Sequence, residues 1–201
     1  ACNPINLYGA TKLASDKTFV AANNLSGDIG TRFSVVRYGN VVGSRGSVVP
    51  IFAGQLVRGE PITITHEGMT RYVMTIDEAA QLVLEAGARM VGGEVFVTKM
   101  RALAVTDLAA AMAEALGKKS FDVVKTGLRP GEKLYEELIS EDERVRTVDL
   151  ERLLVVLPAD ENIPTKKSLD AAWGGQPMVE KEWNSGNDVR IDPHNPDVVY
   201  A

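Results

Sequence analysis

The sequence contains one cysteine, no long apolar run and no excess of positive charge. Cys2 alone among 201 residues excludes an internal disulfide framework and a cysteine-cluster metal site, and it indicates a reducing compartment such as the cytoplasm. No apolar run approaches the ~20 residues of a membrane-spanning helix, so no membrane partner is predicted. The 22 Lys and Arg residues against 27 Asp and Glu give a net charge of −5, which argues against nucleic acid as a partner. His66 and His194 lack neighbours at ligand spacing, so no metal site is predicted.

A glycine-rich dinucleotide turn is also missing. No Gly-x-x-Gly-x-x-Gly occurs in the chain, although a dinucleotide-binding fold uses such a turn to place the pyrophosphate at a helix N-terminus. The chain begins Ala1-Cys2-Asn3-Pro4, without an initiating Met, a charged leader segment or an apolar leader segment. We therefore expect the sequence to be a piece of a longer protein.

Apolar spacing and β-branched runs predict alternating helices and strands. Helices are predicted at 8–23, 49–58, 77–90 and 108–116 and from Leu134 onward; strands are predicted at 33–38, 62–65, 72–74, 94–97 and 121–124. This alternation is typical of an α/β fold with parallel crossovers. Five of the nine prolines lie from Pro158 onward, and we expect a loose or extended tail at 158–201.

Tyr8 and Lys12 are the first candidates for chemistry. Residues four apart on a helix share one face and are about 6 Å apart along the axis. A neighbouring ammonium favours the phenolate form of a tyrosine, and a phenolate can accept a proton from a sugar hydroxyl during oxidation. Such a pair also occurs by chance on many helices, usually as surface side chains.

Four sequence blocks, in a fixed order, make the pair more specific. They are Asn3-Pro-Ile-Asn-Leu-Tyr-Gly-Ala-Thr-Lys-Leu13, the run from Phe33 to Pro50 that contains Arg-Tyr-Gly-Asn-Val-Val-Gly, Thr70-Arg-Tyr-Val73, and Arg129-Pro-Gly-Glu-Lys133. Together they resemble the extended short-chain dehydrogenase/reductase family of nucleotide-sugar enzymes. Within that family the wording is most similar to the UDP-N-acetylglucosamine 4,6-dehydratases that invert C5, and polysaccharide-biosynthesis dehydratases share much of the pattern.

The resemblance implies a fold and a division of the chain. Residues 1–45 would be the C-terminal portion of a Rossmann-type, doubly wound parallel sheet that binds NAD(P). Residues 46–157 would form mainly a small α/β region that binds the nucleotide sugar. The full-length relatives are homo-oligomers, and the same is expected of a full-length protein here.

The resemblance also implies site residues. The catalytic pair would be Tyr8 and Lys12. The cofactor, NADP with NAD as the alternative, would contact Tyr8, Lys12, Tyr38, Gly39, Asn40 and Val41. The UDP-sugar substrate would contact Asn40, Arg45, Val49, Pro50, Thr63, Thr65, Arg71, Arg129 and Glu132.

Among these, Arg71 and Arg129 would bind the two phosphates, because a planar, permanently charged guanidinium suits them. Either arginine could instead lie on the surface, and Arg45 is as easily a solvent-exposed side chain. Gly43 and Gly46 could serve turn geometry alone.

Several alternatives stay open. Tyr8 and Lys12 would serve a C5-retaining dehydratase or a UDP-sugar 4-epimerase equally well. In the inverting dehydratases an Asp-Lys pair that handles water elimination and the C5 proton comes just before the Asn-Pro dipeptide, which here is Asn3-Pro4. That pair is not in this chain, so a fragment that is inactive and at most binds UDP is the third possibility. Arg37 is expected to be a structural ion-pair partner at a strand end.

Overall fold

The computed structural model describes residues 2–26 and 30–159, together with the backbone of three short strands further on. The helices are α1 (Leu7–Ala22), α2 (Val48–Arg58), α3 (Ile76–Arg89), α4 (Val105–Ala115) and α5 (Glu141–Arg144). The strands are β1 (Val35–Arg37), β2 (Asn40–Val41), β3 (Ile62–Ile64), β4 (Thr70–Met74), β5 (Val95–Thr98), β6 (Arg101–Ala104), β7 (Val123–Lys125), β8 (Thr147–Asp149), β9 (Leu153–Val156), β10 (Gln176–Pro177), β11 (Ile191–Asp192) and β12 (Asn195–Val199). Most of the predicted tail at 158–201 lies outside the described residues.

The chain divides into two compact units that are interleaved along the sequence. The first unit comprises Ala1–Tyr38, Asp77–Lys99 and Glu137–Trp183, and the second comprises Gly39–Ile76, Met100–Glu136 and Asn184–Ala201. These units do not follow the predicted segments 1–45 and 46–157, because the stretches 77–99 and 137–157 belong with the N-terminal residues.

The first unit is built on one five-stranded sheet. Its strand order is β1-β5-β9-β8-β10, in which β1 and β5 are parallel and the other neighbours are antiparallel. Every residue of β9 is buried. Phe96 and Val155 pack with Leu82 and Ala86 of α3, so the apolar stripe of that helix covers the sheet.

The second unit contains two smaller sheets. One has the order β2-β4-β6, with β2 parallel and β6 antiparallel to β4, and the other is the parallel pair β3-β7. Its core joins α2, β3 and α4 through Phe52, Leu56, Ile62, Ile64 and Ala109. Both units therefore confirm the α/β class and the parallel pairing predicted from the sequence.

One predicted helix is wrong. Residues 134–140 form no helix, and the backbone there follows an irregular path. The carbonyl oxygen of Leu134 accepts hydrogen bonds from the backbone N–H of Thr70 (2.9 Å) and from Arg71 Nη1 (3.1 Å), and the carbonyl of Lys133 accepts from Arg71 Nη2 (2.8 Å). A helix would need these carbonyls for its own ladder, so the contacts with β4 prevent it from forming.

In the described part of the chain, each helix is too short or too polar to cross a lipid bilayer.

Candidate functional site

Tyr8 and Lys12 lie on one face of α1 in the first unit. Lys12 Nζ is 5.3 Å from the centroid of the Tyr8 ring, within the range of a cation–π contact. The Tyr8 side chain is largely exposed, at 72% of its full area. The geometry therefore gives a phenol and an ammonium side by side and accessible to a ligand. Tyr38, also predicted to contact the cofactor, belongs to the same unit and is exposed.

The start of α1 fixes where Tyr8 begins the helix. Asn6 caps the helix with its Oδ1, which accepts a hydrogen bond of 2.8 Å from the backbone N–H of Gly9. A Cβ atom at Gly9 would lie 2.9 Å from Cβ of Pro4, so only glycine allows Pro4 to pack on the first turn. The run Asn-Pro-Ile-Asn-Leu-Tyr-Gly thus specifies this helix start.

A buried ionic cluster holds α1 against the end of β1. Arg37 Nε donates to Asp16 Oδ2 at 2.7 Å, and Asp16 is the buried residue of α1. Arg37 Nη1 and Nη2 donate to the two carboxylate oxygens of Glu143 at 2.6 and 2.9 Å. Arg37 is therefore a structural ion-pair partner, as the sequence analysis predicted.

All charges of this cluster persist at neutral pH. Burial alone raises the pKa of Glu143, but the hydrogen bonds and charge of Arg37 outweigh it and hold that pKa well below its usual range. Burial alone lowers the pKa of Arg37, but the hydrogen bonds to Glu143 and Asp16 raise it above its ordinary value. Lys17 Nζ adds a further bond of 2.9 Å to Glu143. The cluster is thus a fixed support for the helix that carries Tyr8.

Cys2 is a packed thiol and no nucleophile. Its Sγ donates to the carbonyl oxygen of Glu137 at 3.0 Å, and burial raises the pKa of Cys2 to about 11. The thiolate that nucleophilic chemistry needs is therefore scarce at neutral pH.

The second unit contains a cavity of about 290 Å³. Six of the nine predicted substrate residues line it: Asn40, Thr63, Thr65, Arg71, Arg129 and Glu132. Arg45, Val49 and Pro50 do not line it, whereas their neighbours Gly46, Ser47 and Val48 do. The remaining wall is mainly apolar and includes Ile51, Phe52, Ile64, Met69, Leu103 and Leu108. The structure thus brings most of the predicted substrate residues of this unit around one concave surface.

The two predicted phosphate-binding arginines differ in availability. Arg71 donates to the carbonyl oxygens of Thr70 (2.7 Å), Leu134 (3.1 Å) and Lys133 (2.8 Å), so most of its donors are used within the fold. The guanidinium of Arg129 forms no hydrogen bond or ion pair with any residue that the structure describes, and Arg129 is exposed. Arg129 is therefore the arginine of the cavity that can present its whole fork to an anion.

Glu136 contacts two of the predicted phosphate-binding residues. Its Oε2 accepts from Asn40 Nδ2 at 3.2 Å, and its Oε1 lies 3.7 Å from Arg71 Nε. Asn40 Nδ2 also donates to the carbonyl oxygen of Tyr72 at 3.3 Å. The amide donors of Asn40 are thus used within the protein, and its carbonyl oxygen remains for other contacts.

Glu132 closes the turn that presents Arg129. Its Oε2 accepts from the backbone N–H of Arg129 at 3.0 Å, and its own N–H donates to the Arg129 carbonyl at 3.0 Å. The second carboxylate oxygen of Glu132 is left for a hydroxyl donor, such as a sugar.

Glycines shape the backbone beside the cavity. A Cβ at Gly39 would lie 2.4 Å from the carbonyl oxygen of Tyr72, so glycine allows β2 to approach β4 and places Asn40 next to that strand. Gly43 and Gly46 have φ of 76° and 77°, which favours glycine, so both serve turn geometry as predicted. Val41 pairs with Met74 of β4, and this fixes the register of β2.

Sequence reasoning missed two polar residues near the cavity. Ser47 lines it, and Gln55 of α2 hydrogen-bonds Thr63, which also lines it. The signal for Ser47 was present, since Ser47-Val48-Val49-Pro50 places a capping residue three positions before a proline. Gln55 carried no signal, because its partner lies on a separate strand.

The model of the polysaccharide biosynthesis protein family matches residues 1–158. The chain belongs to this family. The resemblance to short-chain dehydrogenase/reductases is confirmed with it, and the structural neighbours of this family member have the Rossmann-type α/β fold.

Three similar proteins place this family member more closely. A Campylobacter jejuni protein named UDP-N-acetylglucosamine 4,6-dehydratase (inverting) is 49% identical over 160 residues, which are 79% of this chain and 46% of that protein. The chain therefore spans about half the length of such relatives. The X-ray structure of Pen from Bacillus thuringiensis aligns with a TM-score of 0.79 and 32% identity over 92% of this chain and 54% of Pen. UDP-glucose 4-epimerase from Thermus thermophilus, solved with NAD, aligns with a TM-score of 0.55 and 26% identity over 65% of this chain and 44% of that enzyme.

Proposed function

We propose that the protein to which this chain belongs is a UDP-N-acetylglucosamine 4,6-dehydratase that inverts C5. Its product would be UDP-2-acetamido-2,6-dideoxy-β-L-arabino-hexos-4-ulose, for pseudaminic-acid-type nucleotide-sugar biosynthesis in the cytoplasm. The observation that carries this proposal is the 49% identity to a Campylobacter jejuni enzyme of that name over 79% of the chain.

The Tyr8–Lys12 pair supports a redox step at C4. The Tyr8 hydroxyl would accept the proton from the O4 hydroxyl of the sugar, and the Lys12 ammonium would favour the phenolate that does so. Both side chains are exposed on α1, with Lys12 Nζ 5.3 Å from the Tyr8 ring. Loss of the O4 proton and of the C4 hydride gives a 4-keto sugar, and that ketone acidifies the neighbouring C5 proton for the elimination of water.

The residues present fit a nicotinamide cofactor. The exposed Lys12 ammonium beside the Tyr8 hydroxyl is a donor pair suited to the two hydroxyls of a ribose. We propose NADP, with NAD as the alternative, held by Tyr8, Lys12, Tyr38 and Gly39–Val41. When bound, the nicotinamide supplies a hydride acceptor for C4 and returns the hydride to C6, so it is regenerated in every turnover.

The cavity of the second unit would bind the UDP part of the substrate. Arg129 would bind the diphosphate with its unpaired guanidinium, and Arg71 would add positive charge with its remaining donors. Glu132 would accept from the uridine ribose, while Thr63 and Thr65 would contact the base. Because six predicted substrate residues line this cavity, a nucleoside diphosphate is the ligand that its walls favour.

A UDP-sugar 4-epimerase is the second candidate. The Thermus thermophilus 4-epimerase structure is 26% identical to this chain, and a Tyr–Lys pair serves epimerisation equally well. A C5-retaining dehydratase is a third reading of the same residues.

One incubation distinguishes these activities. A protein of the relatives' length that contains this chain is incubated with UDP-N-acetylglucosamine and NADP⁺ in deuterated water, and the products are identified by NMR. The proposed enzyme yields the L-arabino 4-keto sugar with deuterium at C5. A D-configured 4-keto product indicates a retaining dehydratase, and a C4 epimer without a ketone indicates the epimerase; either result refutes the proposal.

We expect the 201-residue chain by itself to bind UDP without turnover. It lacks the glycine-rich dinucleotide turn in its sequence and spans 46% of the Campylobacter jejuni enzyme. Detection of any 4-keto product from this chain alone would contradict that expectation. The full-length protein is expected to be a homo-oligomer, which size-exclusion chromatography with light scattering would measure.

A further inference from the structure

The hydroxyl of Ser47 has lost the partner that a serine at its position normally has. Ser47 is the N-cap of α2, and such a serine usually accepts a hydrogen bond from the N–H two or three residues later. The residue three positions later is Pro50, which has no N–H. Ser47 makes no side-chain capping bond, and its buried Oγ has no hydrogen-bond partner among the residues that the structure describes.

The N-cap of α1 shows the usual arrangement in the same chain. Asn6 stands three residues before Gly9 and accepts the Gly9 N–H at 2.8 Å. A buried polar atom without a hydrogen bond costs free energy, and native structures retain few of them. Ser47 lines the cavity of the second unit, so a ligand in that cavity can supply the missing bond.

Thr63 presents a hydroxyl of fixed direction to the same cavity. The backbone N–H of Thr63 donates to Gln55 Oε1 at 3.2 Å, and a backbone N–H can only donate, so this bond fixes which way the Gln55 amide faces. Gln55 Nε2 then donates to Thr63 Oγ1 at 2.8 Å. Because the Thr63 oxygen accepts this bond, its hydroxyl hydrogen is left to donate to another group.

The surroundings of these hydroxyls suit an uncharged, flat ligand group. α2 and β3 contribute Ser47 and Thr63 together with apolar wall residues such as Phe52 and Ile64, whereas the cationic Arg71 lies on β4. A nucleoside diphosphate has one charged end and one planar end that carries carbonyl oxygens. A pocket of apolar side chains with a few placed polar atoms is the usual form of a site for such a planar group.

On the basis of the proposed function, we infer that Ser47 and Thr63 determine specificity by donating hydrogen bonds to carbonyl oxygens of the uracil base. Gln55 is a positioning residue, since it acts on the ligand only by setting the direction of the Thr63 hydroxyl. Ser47 then gains the hydrogen bond that Pro50 denies it within the helix.

The first test is Ser47→Ala in the 201-residue chain, with UDP and inorganic pyrophosphate titrated by calorimetry. UDP affinity should fall about tenfold, the loss expected for one hydrogen bond, while pyrophosphate affinity stays the same. Tm should not fall, because Ser47 makes no capping bond. The matched control is Asn6→Ala, which removes a capping bond that exists, and it should lower Tm by roughly 2–4 °C and leave UDP affinity unchanged. A Ser47→Ala variant with lowered Tm and unchanged UDP affinity would show an ordinary cap and overturn the inference.

The second test is Gln55→Glu, which keeps an acceptor for the Thr63 N–H and replaces the amide donor with a second acceptor. The Thr63 hydroxyl would then donate to the new carboxylate and offer only lone pairs to the ligand. UDP affinity should fall about tenfold with pyrophosphate affinity unchanged, whereas a merely structural role would weaken both. If wild-type chain fails to bind UDP, the proposed function and this inference both fail. If it binds UDP and both variants bind equally well, the inference alone fails.

Discussion

Glu143→Gln removes one carboxylate from the buried cluster that supports α1 and leaves its shape almost unchanged. In the native protein the two carboxylate oxygens accept bonds from Arg37 Nη1 at 2.6 Å, Arg37 Nη2 at 2.9 Å, Lys17 Nζ at 2.9 Å and the Ser140 N–H at 3.1 Å. The side chains of Arg37 and Glu143 are only 4% and 3% exposed. The substitution therefore leaves a buried guanidinium with Asp16 as its remaining carboxylate partner.

The expected loss follows from that burial. Removing one partner of a buried ion pair costs about 3–5 kcal/mol of unfolding free energy, because the other charge stays desolvated without compensation. For a chain of this size each 1 kcal/mol corresponds to roughly 2–4 °C, so Tm should fall by roughly 6–20 °C in thermal unfolding followed by circular dichroism. The matched control is Glu60→Gln, since Arg58 Nε and Nη2 also bind Glu60 in bidentate fashion at 2.8 and 2.7 Å, but on the surface. Its Tm should not change measurably.

The same pair of proteins has a predicted pH dependence. The native pKa of Glu143 lies well below its ordinary value of about 4.3, so its ionisation stabilises the fold at pH above about 5. That contribution is lost as pH falls from about 5 towards the native pKa, and the Gln variant never has it. The Tm difference between wild type and variant should therefore shrink between pH 6 and pH 3. A Glu143→Gln variant as stable as Glu60→Gln at pH 7, or a difference that grows in acid, would refute the reasoning.

Three further predictions concern single side chains. Tyr8→Phe, in a protein of the relatives' length, should lower turnover at least ~10²-fold, the contribution of a positioned base, with UDP affinity unchanged in calorimetry; equal turnover would refute its role. Arg129→Ala should weaken UDP binding without lowering Tm, whereas Arg71→Ala should do both because Arg71 donates to three backbone carbonyls; identical behaviour would contradict this contrast. Gly39→Ala should lower Tm, since its Cβ would lie 2.4 Å from a carbonyl oxygen, whereas Gly87→Ala, with open space around it, should stabilise α3 by about 0.5–1 kcal/mol in denaturant unfolding.

The helices were more predictable than the strands. α1, α2, α3 and α4 each have a local signal in apolar spacing or a stop at glycine, and each begins and ends within a few residues of its prediction. β9 escaped prediction, although every residue of its Leu-Leu-Val-Val run is buried. A run of four apolar residues has no period that separates a buried strand from a buried helix segment. Only its pairing with β5 and β8, which are far away in sequence, decides the matter.

The candidate site was predictable where residue type alone decides. Arg129 beside Pro130-Gly131 gives an exposed cation on a turn, and the structure leaves its guanidinium unpaired among the described residues. The contacts that use up the donors of Asn40 could not be predicted, because its partners Tyr72 and Glu136 are 32 and 96 residues away in sequence.

Arg71 accounts for both the wrong helix and the difference between the two arginines. Sequence reasoning assigned its guanidinium to a ligand and the carbonyls of Lys133 and Leu134 to a helix. In the structure these groups bond to one another, at 2.8 and 3.1 Å, so neither assignment holds in full. The strand that carries Arg71 is thereby tied to the segment that follows Arg129. Arg71 thus contributes to anion binding mainly by holding the turn of Arg129 in place and by the charge that this bonding leaves in the cavity wall.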